Sequence, residues 1–344
     1  MRGYRVGMVV ETSVILTGPG KLAPRFPDVV RGVDGVLLAV YHLAAGHVKA
    51  NGRVMLIRSG DGGRNWSEPV DALPGVFADL DLRDPKLCAL ADGCALLTFF
   101  AVRWTLLGKL EARGVWVARL AADGTVADGP VQVTDVFQHG PAVELPDRTL
   151  LQPVYTRRPS SALVCRSEDG GRTWRSSPAL PAADGLDFVE PNLTLLPGGQ
   201  LVLLARTENE GVPQPSRLTR SDDGGLTWTP PETLGVATSS HHQLLTSDGR
   251  VLLTYGRFVH EGRAHFSTPG AHRPTLGVLI ADPAGPWDGY PEVPIYDAGV
   301  CVDQANPSSV EIEPGRFLTL GFDVAGRTLV GVRTDASEYV ASGT

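Results

Sequence analysis

One pattern recurs six times along this chain of 344 residues and limits its fold more than any other. Each copy has a polar start, often with Pro, then an alternating strand, an acidic-glycine turn and an apolar strand. The copies span Arg25–Tyr41 (RFPDVVRGVDGVLLAVY), Arg83–Phe100, His139–Tyr155, Val189–Arg206, Ser240–Arg257 and Ala305–Phe322. Each reads as a β-hairpin, with Asp-Gly, Gly-Gly or Pro-Gly at the turn and Leu and Val on the second arm. The third copy has Asp147-Arg148 where the glycine belongs, which predicts a turn of different shape. A pair of shorter strands follows each hairpin. Four strands at a period of roughly 50–60 residues are the signature of a propeller blade. A strand over Tyr4–Leu16 is left over and is expected to complete the last blade, so that no sheet edge stays open. The expectation is all-β: one domain over residues 1–344, a six-bladed β-propeller of four-stranded antiparallel blades closed by the N-terminal strand.

Composition narrows the partners. The 40 Gly and 27 Pro make turns frequent and long helices unfavourable. A net charge of −7 argues against nucleic acid, which selects a basic face. It leaves room for a local cluster of arginines around an anionic ligand. Cys88, Cys94, Cys165 and Cys301 form no CxxC pair and no zinc spacing, so thiol-bound metal and a disulfide frame are not expected. No cofactor motif stands in the sequence and none is expected. The first residues carry Glu11 in an apolar stretch without a small-residue cleavage site, and read as strand rather than signal peptide. No run of 18 apolar residues exists, so no membrane partner is expected, and a cytoplasmic location is the default.

A second phrase occurs three times: RSGDGGRNW (Arg58–Trp66), RSEDGGRTW (Arg166–Trp174) and RSDDGGLTW (Arg220–Trp228). Asp61, Asp169 and Asp223 can accept backbone N–H groups within their own turns, and Gly63, Gly171 and Gly225 can take positive φ. Trp66, Trp174 and Trp228 can bury a face against a neighbouring sheet. The phrase is identified as the Asp-box, or bacterial neuraminidase repeat. With the six hairpins, the chain resembles the sialidase-like six-bladed propellers over nearly its whole length. The resemblance implies that these boxes sit on outer turns between the third and fourth strands of a blade, away from the chemistry.

In such a propeller the first strands line the axis, and their starts converge at one mouth with the exits of the second strands. The starts offer Arg25, Arg83 with Asp84, His139, Glu190, His241 with His242, and Asp303 with Asn306. The exits offer His42, His47, Arg103, Tyr155 with Arg157, Arg206, Tyr255 with Arg257, and Asp323. Nearly every blade aims an ionisable group at one place.

The resemblance to sialidases implies a clamp of arginines for a substrate carboxylate, a task suited to planar guanidinium groups. Arg25 in "RFP" matches the first, Arg206 the second, and Arg257 or Arg273 the third, with Glu190 as the associated glutamate. Arg83, Asp303 and Asn306 join this binding set, and Asp84, His47, His139, His242 and Tyr155 join Glu190 as acid-base candidates. Two matches fail. Asn306 stands where the family's nucleophilic tyrosine opens the last hairpin, and an amide cannot replace a phenolate. The segment His42–Ile57, where the family carries its acid/base aspartate, holds no Asp or Glu. Histidines could move protons near neutral pH instead, or hold a metal. The expected function is a sialidase-like glycoside hydrolase or related enzyme on a carboxylated sugar or similar small molecule. The alternatives are a lyase, isomerase or tailoring enzyme in the same pocket, and a non-catalytic glycan-binding or assembly propeller.

Overall fold

The computed structural model describes residues 11–47, 51–105, 110–157, 159–181, 185–257, 273–298 and 305–340. Their strands fall into six antiparallel sheets. After β1 (Glu11–Thr17), blade one holds β2 (Ala23–Arg31), β3 (Leu37–Ala44), β4 (Arg53–Ser59) and β5 (Val70–Asp71). Blade two holds β6 (Asp81–Ala89), β7 (Ala95–Trp104), β8 (Leu110–Leu120) and β9 (Val126–Thr134). Blade three holds β10 (Phe137–Gln138), β11 (Val143–Glu144), β12 (Leu150–Thr156), β13 (Ser161–Ser167) and β14 (Arg175–Leu180). Blade four holds β15 (Asp187–Leu195), β16 (Leu201–Asn209), β17 (Val212–Ser221) and β18 (Glu232–Thr233). Blade five holds β19 (Ser239–Leu245), β20 (Val251–Gly256), β21 (Thr275–Ile280) and β22 (Val293–Tyr296). Blade six holds β23 (Ser308–Glu313), β24 (Arg316–Asp323) and β25 (Thr328–Asp335), with β1 as its outer strand. The only helix among the described residues is a 3-10 turn, Ala336–Tyr339.

The closing strand pairs with β25 from Glu11 opposite Arg333 to Thr17 opposite Thr328. This is the closing strand expected from the sequence; residues 4–10 of the expected span lie outside the described residues. The first strand of blade three is split into β10 and β11 because Gly140-Pro141 interrupts it: Pro has no N–H to donate, and Gly140 N donates to Pro191 O of the next blade (3.2 Å).

A circuit of hydrogen bonds joins neighbouring first strands around the axis. Val29 N donates to Ser308 Oγ, Leu87 N to Asp28, Gln138 Nε2 to Asp84 O, Gly140 N to Pro191 O, Asn192 Nδ2 to His241 O, and Ser309 N to His242 Nδ1. Every interface between blades is crossed, so the ring is closed by polar contacts at its centre. Farther out, apolar side chains fill the slots between sheets. Leu38, Leu56, Leu82, Leu97 and Phe99 pack blade one on two; Leu37, Ile57, Leu318 and Leu329 pack six on one; Val202, Leu253, Tyr255 and Ile280 pack four on five. All of these are buried, which supplies the main drive for assembly.

The three Asp-boxes lie between the third and fourth strands of blades one, three and four. In each, the serine hydroxyl donates to the aspartate at 2.8 Å and accepts the N–H of the second glycine. The aspartate also accepts two backbone N–H groups: from Arg64 and Asn65, from Arg172 and Thr173, and from Leu226 and Thr227. The tryptophans pack against the inter-blade slots. A Cβ on Gly63 would come within 2.4 Å of Leu318, so positive φ and close packing both require glycine there.

The hairpin turn at Asp147-Arg148 departs from expectation. It has the same shape as its siblings, because Arg148 takes the left-handed position (φ 73°) that Gly93 fills in blade two (φ 88°). The turn bonds match as well, with Arg148 N donating to Leu145 O as Gly93 N does to Leu90 O. An L-residue pays for this conformation. Arg148→Gly is therefore expected to stabilise the protein by about 0.5–1 kcal/mol, net of the extra freedom glycine has when unfolded. The urea midpoint measures it.

Candidate active site

Four first strands slip register near their starts: β2 after Arg25, β6 after Arg83, β15 after Val189 and β19 after Ser239. At each slip a non-glycine residue has positive φ: Phe26 (50°), Asp84 (46°), Glu190 (53°) and Ser240 (49°). Ala305 (63°) holds the same place ahead of β23, whereas Gly140, at the matching position of blade three, does not take positive φ. Such bulges re-aim a side chain, and the strain of a left-handed residue persists only where surrounding structure enforces it. The fold repeats this device around one mouth of the axis.

Glu190 is the centre of the mouth. Its carboxylate accepts Arg206 Nη1 at 2.8 Å and the backbone N–H of Ser240 at 2.8 Å. Arg206 also pairs with Glu208. Burial alone would raise the Glu190 carboxyl. The charges of Arg206 and Arg273, the imidazole of His139 and the Ser240 N–H outweigh it and hold the group well below the usual carboxylate range. Arg273 is buried and donates to Ser239 Oγ at 2.9 Å. His139 is 4% exposed, and neither ring nitrogen has a hydrogen-bond partner. Burial lowers it to about 3, against the pull of Glu190, so it is neutral at pH 7.

Tyr155 and Arg157 form the next wall. Phe137 stacks on Tyr155 with ring centroids 5.4 Å apart, and the Arg157 guanidinium lies over both rings. Burial pushes the Tyr155 hydroxyl up to about 12, so it is a hydrogen-bond donor rather than a phenolate. Asp84 sits across from it, with Arg83 Nε 3.9 Å from its carboxylate. Arg83 also lies over the rings of Phe26 and Trp104.

Behind Phe26 lie the buried His42 and Asp81 with the half-buried Trp104. His42 stacks on Phe26 (5.7 Å, 6° between planes), and its Nε2 is 2.9 Å from Asp81. Asp81 also accepts Gly52 N (2.8 Å) and Trp104 Nε1 (2.7 Å). Burial lowers His42. Burial opposes ionisation of Asp81, but its hydrogen bonds and the nearby positive charge keep it low. Both directions describe a neutral histidine donating to a carboxylate. His47 meets the edge of Phe26 at 5.0 Å, and Arg25 begins β2 opposite His42.

His241 is tied into blade four, with Nε2 3.0 Å from Leu204 O and Nδ1 3.2 Å from Thr238 Oγ1. His242 faces the far half of the axis and accepts Ser309 N at 3.3 Å. Arg257 is paired with Glu292, which Tyr255 also contacts, and its side chain is 41% exposed. Asn306 is buried at the blade-six position, and its Oδ1 has no hydrogen-bond partner. Asp303 lies outside the described residues. Sequence reading missed Asp81, Glu208 and the buried Lys86–Asp28 pair (3.9 Å). Asp81 opens β6 two residues before Arg83, a position the hairpin pattern alone could have flagged. No group of three or more described His, Cys, Asp or Glu residues could hold a metal ion.

A bacterial neuraminidase (BNR) repeat-like domain matches residues 114–291, just over half of the chain. The chain belongs to that family. No curated protein matches this BNR repeat chain. Among solved structures it is similar to a protein of unknown function from Dyadobacter fermentans, at 23% identity and TM-score 0.80 over 94% of this chain and 98% of that one. It is similar to the leech intramolecular trans-sialidase complexed with 2,7-anhydro-Neu5Ac, at 15% identity and TM-score 0.65 over 98% and 72%. It is also similar to the Penicillium chrysogenum α-L-arabinanase complexed with arabinobiose, at 15% identity and TM-score 0.62 over 97% and 100%. At these identities the likeness is one of fold, and the sialidase-like propeller is its architecture. The BNR repeats themselves, on the outer turns, contribute no group to the mouth.

Proposed function

We propose that this protein is a carbohydrate-active enzyme of the glycoside hydrolase kind that holds an acidic sugar by its carboxylate. The carrying observation is the set of guanidinium groups around Glu190. Arg206 touches it directly, Arg273 acts on it from blade five, and Arg157 walls the same space. Arg206, Arg273 and Arg25 form the clamp in this reading. Arg273 takes the third place rather than Arg257, because Arg273 is buried and acts on Glu190, whereas the half-exposed Arg257 pairs with Glu292. Arg83 extends the positive wall. Glu190 stays ionised and orients or accepts a proton, Asp84 is the second carboxylate of the mouth, and Tyr155 donates a hydrogen bond. His139 is a neutral buried imidazole without a hydrogen-bond partner, and in this reading it serves as a hydrogen-bonding group, since burial lowers it to about 3.

Asn306 favours a second chemistry in the same pocket. Without a tyrosine there, a covalent glycosyl-tyrosine route is closed, and proton abstraction beside a clamped carboxylate suits the groups that remain. That reaction is an elimination or isomerisation of a uronic-type sugar. Calorimetric titration with N-acetylneuraminate, glucuronate and galacturonate tests the clamp. At least one is expected to bind with Kd below about 1 mM, and Arg273→Met is expected to weaken it tenfold or more. Equal binding of neutral sugars, or no effect of the substitution, overturns the reading. A fluorogenic sialoside is expected to show no turnover above background; robust turnover would overturn the role given to Asn306.

A further inference from the structure

The first strands end in a second cavity, distinct from the mouth that their starts form. It has a volume of about 580 Å³ and is lined by β2, β6, β11, β15, β19 and β23 together. Glu190 and Thr194 mark the two levels on β15. Four residues of strand separate them, roughly 13 Å at the usual rise. The lining is mostly hydrocarbon, with Val29, Leu87, Val143, Leu193, Leu244 and Val310 each from a different blade. The rim charges are occupied locally. Glu144 accepts Ala91 N and Arg148, Glu311 accepts Ser247 N and Gly315 N, and Arg31 donates to Ile312 O.

Three polar side chains in this wall have ring or side-chain atoms left unbonded: Thr194 at Oγ1, Gln243 at Oε1, and His242. His242 is 7% exposed and lines the cavity. Its Nδ1 accepts the backbone N–H of Ser309, so that nitrogen carries no hydrogen. Burial lowers the imidazole to about 3, so the ring is neutral at pH 7. The hydrogen is therefore on Nε2, a donor with no hydrogen-bond partner among the described residues.

We infer that this cavity is a binding site for a small neutral apolar molecule carrying one hydrogen-bond acceptor, which His242 Nε2–H would meet. The volume is in the range of small-molecule sites. A free sugar is disfavoured, since most of its hydroxyls would face Val, Leu and Ala rather than the few polar lining atoms. A carboxylate is disfavoured because the described lining carries two carboxylates, Glu144 and Glu311, against the single cation Arg31. The inference does not depend on the sugar site at the other mouth.

The probe is 2-nonanone, a nine-carbon ketone with an acceptor and no donor, followed by methyl NMR of the intact protein. Binding below about 1 mM is expected, with shifts at Leu87, Leu193, Leu244 and Val310, and octanoate is expected to bind at least tenfold more weakly. Val143→Trp, at a half-exposed lining position, is expected to abolish binding by filling the space. His242→Phe is expected to weaken it about tenfold. If His242→Phe does not fold, Val143→Trp and the octanoate comparison decide. Absence of ketone binding at 2 mM, unchanged binding in Val143→Trp, or octanoate binding as tightly as the ketone each overturn the inference.

Discussion

Arg206→Met is expected to destabilise the protein by about 3–5 kcal/mol at pH 7, because it strands a buried carboxylate without its partner. Glu190 and Glu208 both rest on this guanidinium, and the side chains of Arg206 and Glu190 are only 16% and 18% exposed. The double variant Arg206→Met with Glu190→Gln is expected to recover much of the loss, since a neutral amide is left in place of the uncompensated charge. Chemical denaturation across pH separates this from a simple packing defect. In the native protein the Glu190 carboxyl is held below its unfolded value. The unfolded chain therefore binds the proton first as pH falls, and the stability from this group is full above about pH 4.3 and is lost below it. In Arg206→Met the balance reverses, because burial now dominates and lifts the carboxyl. The deficit of the variant is then largest at neutral pH and shrinks on acidification. A deficit that stays constant from pH 7 to pH 4 would contradict this account.

Asp81→Ala is expected to cost about 4 kcal/mol. It removes the common acceptor of three donors, namely His42 Nε2, Gly52 N and Trp104 Nε1. Each buried donor left without a partner costs about 1–3 kcal/mol. The site has little room to relax. A Cβ on Gly52 would fall 1.8 Å from His42 Nε2, so the backbone already lies directly against the imidazole. Because His42 stacks on Phe26 and Phe26 lies under Arg83, the damage is expected to reach the mouth. A thermal unfolding midpoint unchanged within 1 °C would rule out this role for Asp81.

Much of this architecture is legible in the sequence, for a physical reason. Hairpin turns and Asp-boxes are local, and their residue types are dictated by backbone conformation within a few positions. The exception at Arg148 is instructive: the surrounding strands impose the turn, and the missing glycine costs strain rather than a new shape. The mouth is harder to read. Glu190 and Arg206 fall out of the hairpin phase, since β15 and β16 are neighbours in sequence. Arg273 does not, because it reaches Glu190 from outside any hairpin repeat. Alternation correctly separates His241 from His242, but only the packing tells that the first serves Leu204 and the second the far cavity. The recurrent bulges carry a partial signal in Pro27, Pro85 and Pro191, each following the left-handed residue. Proline alone does not predict that conformation, since it normally steers the preceding residue to extended backbone.

The sixth sheet has a consequence for how the molecule comes into being on the ribosome. Its outer strand, Glu11–Thr17, is made first, and its partner Thr328–Asp335 only about 310 residues later. At about 5–20 residues per second the first strand waits many seconds for its place. During that interval blade one has no sixth neighbour, and Leu37, Ile57 and Tyr41 lack the Leu318 and Leu329 surface they later cover. The nascent chain is thus most vulnerable to mispairing before β25 is made. Holding chaperones would act on it at the seam between blades six and one.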